Sequence, residues 1–338
     1  MGGAGVLAGL LVALVAAELV VRARYPVLNL RRDFSPGIYV EDPARGYANL
    51  PRYAGVFQTY FEDVPVRTNS LGFRGPEPPA DADADATLRV LCLGDSNMFG
   101  QGVRDDEALP AQLERLLQGR GPAVCYNAGV SGYSTDHELR TLRVFGPRLR
   151  PRVVVLGWLD NDLVPTPTFV GGGHLVERAE DRDRVAGTLE RRWYEPSYLA
   201  RLVSITARTL KHQARTADRA RPRADAQEVE LARSVALVQE VRREAEALGA
   251  ALWVIAYVGQ PAVERGLRDP LVDEFLRRAR ASGVRCLDAY EPLRAEHERS
   301  GAPLYAPRDR VHPNALGHRV VAAALADALV AAPATGRE

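Results

Sequence analysis

Five short apolar runs, each leading into a polar or glycine-bearing turn, constrain this chain more than any other feature. They are LRVLCLG (88–94), AVCYNAG (123–129), RVVVLGW (152–158), ALWVIAYV (251–258) and VRCLDAY (284–290). Helical spacing of apolar residues fills the intervals around 107–118, 135–145, 227–248 and 271–281, and a closing helix follows at about 315–330. Runs this short and apolar on both faces are the mark of parallel strands covered by crossover helices. The alternation predicts right-handed β-α-β units in an α/β fold, a three-layer α/β/α sandwich around about five parallel strands.

The chain before Leu88 is of another kind. Gly2–Val21 is almost wholly apolar, broken only by Glu18 and followed by Arg22 and Arg24. About 20 apolar residues suffice to cross a bilayer as a helix. A cleaved signal peptide is the competing reading, but a basic leading region and a well-placed small-residue cleavage site are both missing. The expectation is an uncleaved anchor at residues 1–24. Taken alone, Arg22, Arg24, Arg31 and Arg32 put the following segment on the cytoplasmic side. Residues 25–86 read as a small extension, strand-favouring at 55–68, that ends in the acidic linker DADADA (81–86). The catalytic domain is expected over 87–335, interrupted by an insertion at 164–225 that opens near Gly171–Gly173. Within it, WYEPSYLARLVSITARTL (193–210) is partly helical, and the arginines of 201–223 read as a solvated face and a loose linker, with a membrane-surface contact as the other reading.

A net charge of +1 gives no ground for a nucleic-acid partner. Cys92, Cys125 and Cys286 lack metal-ligand spacing and are odd in number, so they read as buried free thiols in strands. The chain has no GxGxxG and no GK[ST], and neither a cofactor nor a metal is expected.

Four polar motifs stand at or beyond strand ends, where open parallel sheets bind their ligands. GDSNMFG (94–100) follows the first run and presents Ser96 at a strand-to-helix turn, where it needs a base to become nucleophilic. NAGVSGYS (127–134) follows the second, and its glycines bring backbone N–H groups close to a substrate. GWLDNDL (157–163) follows the third and offers the Asn161 side-chain amide as an oxyanion donor. DRVHPNALGH (309–318) precedes the last helix and sets Asp309 and His312 three residues apart, so one loop can carry both a base and the acid that orients it. His318 reads as a helix-start or surface residue.

In this order the motifs resemble those of the SGNH hydrolase family, also called GDSL esterases/lipases, over about Leu88 to Ala332. The family's four signature residues match Ser96, Gly132, Asn161 and His312, and Asp309 matches the acid of its DxxH block. The resemblance implies a flavodoxin-like sheet, a shallow solvent-open site, and an oxyanion hole built from the N–H groups of Ser96 and Gly132 with Asn161. Gly129 is the alternative glycine. The long insertion and the spacing of Asn161 from Gly157 depart from the family pattern. RTNSLGFRGPE (67–77) is similar to what precedes the catalytic domain in membrane-anchored bacterial members, which implies an extracytoplasmic domain.

The leading expectation is a serine esterase acting on a short-chain acyl ester of a small molecule or glycan. The alternatives are a glycan O-acyltransferase using the same residues, a non-catalytic binding module on the same fold, and a metal hydrolase built on Asp95, Asp160 and Asp162, for which turn-capping is the simpler role.

Overall fold

Apolar periodicity, helix caps and turn residues decide the elements in a computed structural model of the chain. It describes residues 2–28, 37–59, 61–79, 82, 86–163, 168–169, 175–176, 193–218 and 224–331. Most of the acidic linker, Gly171–Gly173 and the other insertion residues at 164–167, 170, 174, 177–192 and 219–223 lie outside the described residues.

The first helix, α1 (Gly2–Arg24), exposes Leu7, Leu11, Leu14 and Val15 along its length. Its length and composition are enough to cross a membrane, a test that a signal sequence also passes. The extension forms two antiparallel hairpins, β1 (Tyr39–Asp42) with β2 (Gly46–Asn49) and β3 (Ala54–Gln58) with β4 (Asp63–Arg67).

The α/β portion then runs β5 (Leu88–Leu93), α2 (Ser96–Phe99), α3 (Leu109–Gln118), β6 (Ala123–Asn127), α4 (Thr135–Leu149) and β7 (Val153–Trp158). A 3-10 turn at Asp160–Leu163 and the two-residue strands β8 (Thr168–Phe169) and β9 (Leu175–Val176) open the insertion. The chain continues through α5 (Tyr198–Asp218), α6 (Ala224–Ala247), β10 (Ala251–Ala256), α7 (Gln260–Arg265), α8 (Pro270–Ala281), β11 (Arg285–Asp288), α9 (Tyr290–Ser300) and α10 (Ala315–Ala331).

All five predicted runs are strands of one parallel sheet, in the order β11-β10-β7-β5-β6. Numbered along the chain, that order is the flavodoxin-like one, and it reverses direction at β5. Helices α3, α9 and α10 cover one face, and α4, α6 and α8 cover the other. Burial follows position in the sheet: every residue of central β7 is buried, whereas all four residues of edge strand β11 are half-buried. The cysteines obey the same rule. Cys92 in β5 is fully buried, while Cys125 and Cys286, in the edge strands, are only partly covered, less than expected of them. The α6–α8 side is anchored by Trp158, whose ring stacks on Phe275 at 3.6 Å and whose indole N–H donates to Ser234 Oγ at 2.8 Å.

A second, smaller core joins the extension to the sheet's carboxyl edge. Ile38, Tyr39, Tyr47, Phe57 and Val66 from the hairpins pack with Phe99 of α2 and with Val130 and Tyr133 beyond β6. The hairpins therefore sit against the turns that carry the motifs.

Candidate active site

The nucleophile turn is set by Asp95. Its carboxylate caps α2 by accepting from the Asn97 N–H at 2.8 Å, and Gly100, with φ 85°, ends the helix after one turn. This places Ser96 at the first helical position, directly beyond β5 and therefore at the reversal point of the sheet. Ser96 is only 8% exposed, more recessed than the open site that the resemblance implied, because α2 is buried on every side.

The loop before α10 brings Asp309 and His312 to it. Asp309 Oδ1 accepts from the N–H groups of Val311 and His312 at 2.8 and 3.1 Å, which folds the loop over its own carboxylate. The other oxygen, Oδ2, lies 2.6 Å from His312 Nδ1, and His312 Nε2 lies 2.8 Å from Ser96 Oγ. With Asp309 ionised, Nδ1 donates to it and Nε2 is left to accept from the serine hydroxyl. Burial works against a charged imidazole, but the Asp309 hydrogen bond and charge, aided by Asp95, outweigh it and raise the His312 pKa. Burial likewise pushes Asp309 up, and the His312 contact with the two loop N–H groups overcomes it, so this carboxyl titrates below its ordinary value.

The donor side is organised around the same turn. Asn161, in the 3-10 turn after β7, donates from Nδ2 to Asp95 Oδ2 at 2.7 Å, which spends one amide hydrogen and fixes the other. Gly129 has its N–H committed to Asn127 Oδ1 at 3.1 Å, and its carbonyl accepts from Asn49 Nδ2. A Cβ there would meet the Phe99 nitrogen at 2.4 Å, so its glycine serves close packing against α2. The N–H groups of Ser96 and Gly132 make no backbone hydrogen bond among the described residues. Of the two candidate glycines, Gly132 is the one with a free donor.

Two features escaped the sequence. Arg74 is buried behind the nucleophile turn, donating to the carbonyls of Phe99, Gly100 and Val103 and to Asp105 Oδ1 at 2.8 Å. Its signal was present in RTNSLGFRGPE, but its partners are carbonyls more than 20 residues away. Behind the Asn161 turn, Asp162 accepts from the N–H groups of Thr135 and Leu159 at 2.7 and 3.0 Å. Burial lifts its pKa to about 7. Glu138, on α4, is fully buried with both carboxyl oxygens unpartnered, and burial plus the Asp162 and Asp95 charges hold it well above the ordinary carboxyl range. Asp95 and Asp162 thus act as caps and turn-holders, and among the described residues no cluster of three His, Cys, Asp or Glu side chains is arranged to hold a metal.

His318 departs from expectation. It is 1% exposed inside α10, neither ring nitrogen has a partner, and burial with the nearby Arg74 and His312 charges lowers its pKa to about 3. The face of α10 on which it falls packs inward, which its place in the motif did not reveal.

A comparison with protein families matches residues 92–320 to the GDSL-like lipase/acylhydrolase family. The chain belongs to that family. It is therefore a hydrolase of the SGNH type, with the five-stranded parallel sheet expected of one. No curated protein matches the chain. Solved structures similar to this acylhydrolase include a lipolytic protein of the G-D-S-L family from Veillonella parvula, 13% identical over 73% of this chain and 100% of that one, with a TM-score of 0.43. A GDSL-like lipase from Bacteroides thetaiotaomicron is 14% identical over 76% and 92%, with a TM-score of 0.40. A variant of an acetyl-xylooligosaccharide esterase from Geobacillus is 15% identical over 74% and 97%, with a TM-score of 0.42. The family assignment of this acylhydrolase rests on the family match and not on these likenesses.

Proposed function

We propose that this acylhydrolase cleaves a carboxylic ester through an acyl-serine intermediate. Ser96 Oγ attacks the ester carbonyl as His312 Nε2 takes its proton, and the imidazolium, steadied by Asp309, returns it to the departing alcohol. Water, activated by the same imidazole, then releases the acid. The oxyanion meets the N–H groups of Ser96 and Gly132 and the second amide hydrogen of Asn161, a donor set of which each member is worth about 3 kcal/mol. The observation that carries the reading is the continuous relay from Ser96 Oγ through His312 to Asp309, at 2.8 and 2.6 Å. The proposed acyl group is short, such as acetyl.

The test is hydrolysis of p-nitrophenyl acetate, butyrate and octanoate by the full chain in detergent, beside its Ser96→Ala variant. Turnover that vanishes in the variant and falls with acyl length is expected. Equal rates in the two proteins sink the assignment, and acyl transfer to an added glycan without hydrolysis replaces it with a transferase.

The same reading keeps α1 as an anchor, with the extension (25–86) and catalytic domain (87–335) held outside the cytoplasm. Retention of α1 is supported by Glu18, which accepts from Ser197 Oγ and the N–H groups of Tyr198 and Leu199 at 2.8–2.9 Å and so caps α5 from within α1; the side follows from the likeness of residues 67–77 alone. Cleavage after α1 would strip that cap. Mass spectrometry of the membrane-bound protein should find the α1 peptides; their absence would make α1 a signal segment.

A further inference from the structure

The loop carrying Asp309 is gripped by residues from two distant segments. Arg308 precedes Asp309 directly and has φ 60°, a left-handed conformation unusual for a residue with a Cβ. Its guanidinium carbon lies 4.7 Å from the ring centre of Tyr25 and 5.3 Å from that of Phe61. The two rings stand 5.8 Å apart, and Arg308 also donates to the Tyr25 hydroxyl. Tyr25 is the first residue past α1, tied to its last turn by an N–H bond to the Val21 carbonyl, and Phe61 belongs to the turn between β3 and β4. Among the described residues Arg308 forms no ion pair. Arg308, Tyr25 and Phe61 together wall a cleft of about 590 Å³ that also borders Gly102 and Glu107, just beyond the nucleophile turn.

An arginine next in sequence to Asp309 is a natural competitor for its carboxylate, since a guanidinium pairs with carboxylates in a two-pronged geometry. Such a pairing would take the acid from His312 and set a positive charge beside the imidazole. Aromatic faces hold a cation without offering it a counter-charge.

We infer that Tyr25 and Phe61 form an arginine trap that positions the relay by parking the Arg308 charge away from Asp309. This rests on the acyl-serine reading for its effect on turnover, and its effect on His312 can be seen without turnover. Arg308 and Tyr25 are positioning residues in this account. The charged and titratable groups around the imidazole are Asp309 and the exposed Arg310 on its own loop, Asp95 at the end of β5 and His318 on α10; Arg310 is unchanged in every variant below, so its charge is common to all of them.

The experiment uses the full chain in detergent and compares Tyr25→Ala, Tyr25→Phe, Arg308→Gly and the double variant Tyr25→Ala/Arg308→Gly. Two quantities are read: kcat and KM on p-nitrophenyl acetate, and the His312 titration by NMR, assigned with His312→Gln. Thermal melts report whether each variant is folded. Glycine accepts the left-handed backbone at 308, so that variant removes the charge without straining the loop. Tyr25→Ala should lower kcat about threefold to tenfold and move the His312 titration to lower pH. Tyr25→Phe, which keeps the ring face, should retain most of the parental rate. The double variant should recover both kcat and titration, because the freed cation is gone. The trap is refuted if Tyr25→Ala leaves the His312 titration in place, if the double variant recovers nothing, or if KM alone moves. If the parental chain shows no Ser96-dependent turnover while Tyr25→Ala still shifts His312, the acyl-serine reading fails and the trap stands.

Discussion

At the scale of single residues, the site is a set of charges whose protonation states hold one another in place. In the proposed reaction His312 must be neutral to accept the Ser96 proton, and Asp309 with Asp95 raises its pKa. The acid limb of kcat/KM should therefore have its midpoint above the ordinary imidazole value of about 6.5. Asp309→Asn removes the main raising influence and leaves burial, so the limb should move to lower pH while the rate falls by at least about 100-fold. A pH–rate profile of both proteins checks this. Glu138 makes a second prediction, about stability. Its folded pKa is raised, so above the unfolded value of about 4.5 the folded state holds a proton that the unfolded chain has lost. Stability should fall as pH rises through that window, and Glu138→Gln should flatten the slope. Melting temperatures measured between about pH 5 and 8 decide it.

At the scale of elements, the turns are fastened from behind. Arg74 ties the carbonyls that end α2 to Asp105, with its side chain 1% exposed. Arg74→Met removes one partner of a buried pair and takes a donor from three carbonyls, of which Phe99 keeps Asn127 Nδ2 and Gly100 keeps the Val103 N–H, and should destabilise the fold by about 3 kcal/mol. Urea denaturation gives the value, and Arg74→Lys should rescue little because an ammonium cannot span the same partners. These fastenings mark the limit of what could be read from sequence. The sheet was legible because each strand is apolar on both faces, and Ser96, Asn161, Asp309 and His312 were legible because each follows a strand or precedes the last helix. The two hairpins were only hinted at, since each of their strands is four or five residues long and their apolar side chains face another segment. His318 was misread for a related reason: which face of α10 turns inward depends on packing against the sheet and α3. Gly129 and Gly132 could be told apart only once the hydrogen-bond partners were in place.

At the scale of the whole molecule, the extension and the sheet share a core at Phe99, Val130 and Tyr133. A shared core makes the two unfold together. Denaturation followed by tryptophan fluorescence, to which Trp158 and Trp253 of the sheet contribute, and by loss of ester turnover should give coincident curves; an early loss of turnover at unchanged fluorescence would show the hairpins opening first. The arrangement also bears on modularity. The region matching the family begins at residue 92, within β5. A gene fragment cut there, or at Leu88, would encode the relay without Arg74, Asn49 or the hairpins that brace it. The smallest portion transplantable into another protein with its site intact should therefore start ahead of β1, and recombination that joins at the family boundary would carry over Ser96, Asn161, Asp309 and His312 without the hairpins that pack against their turns.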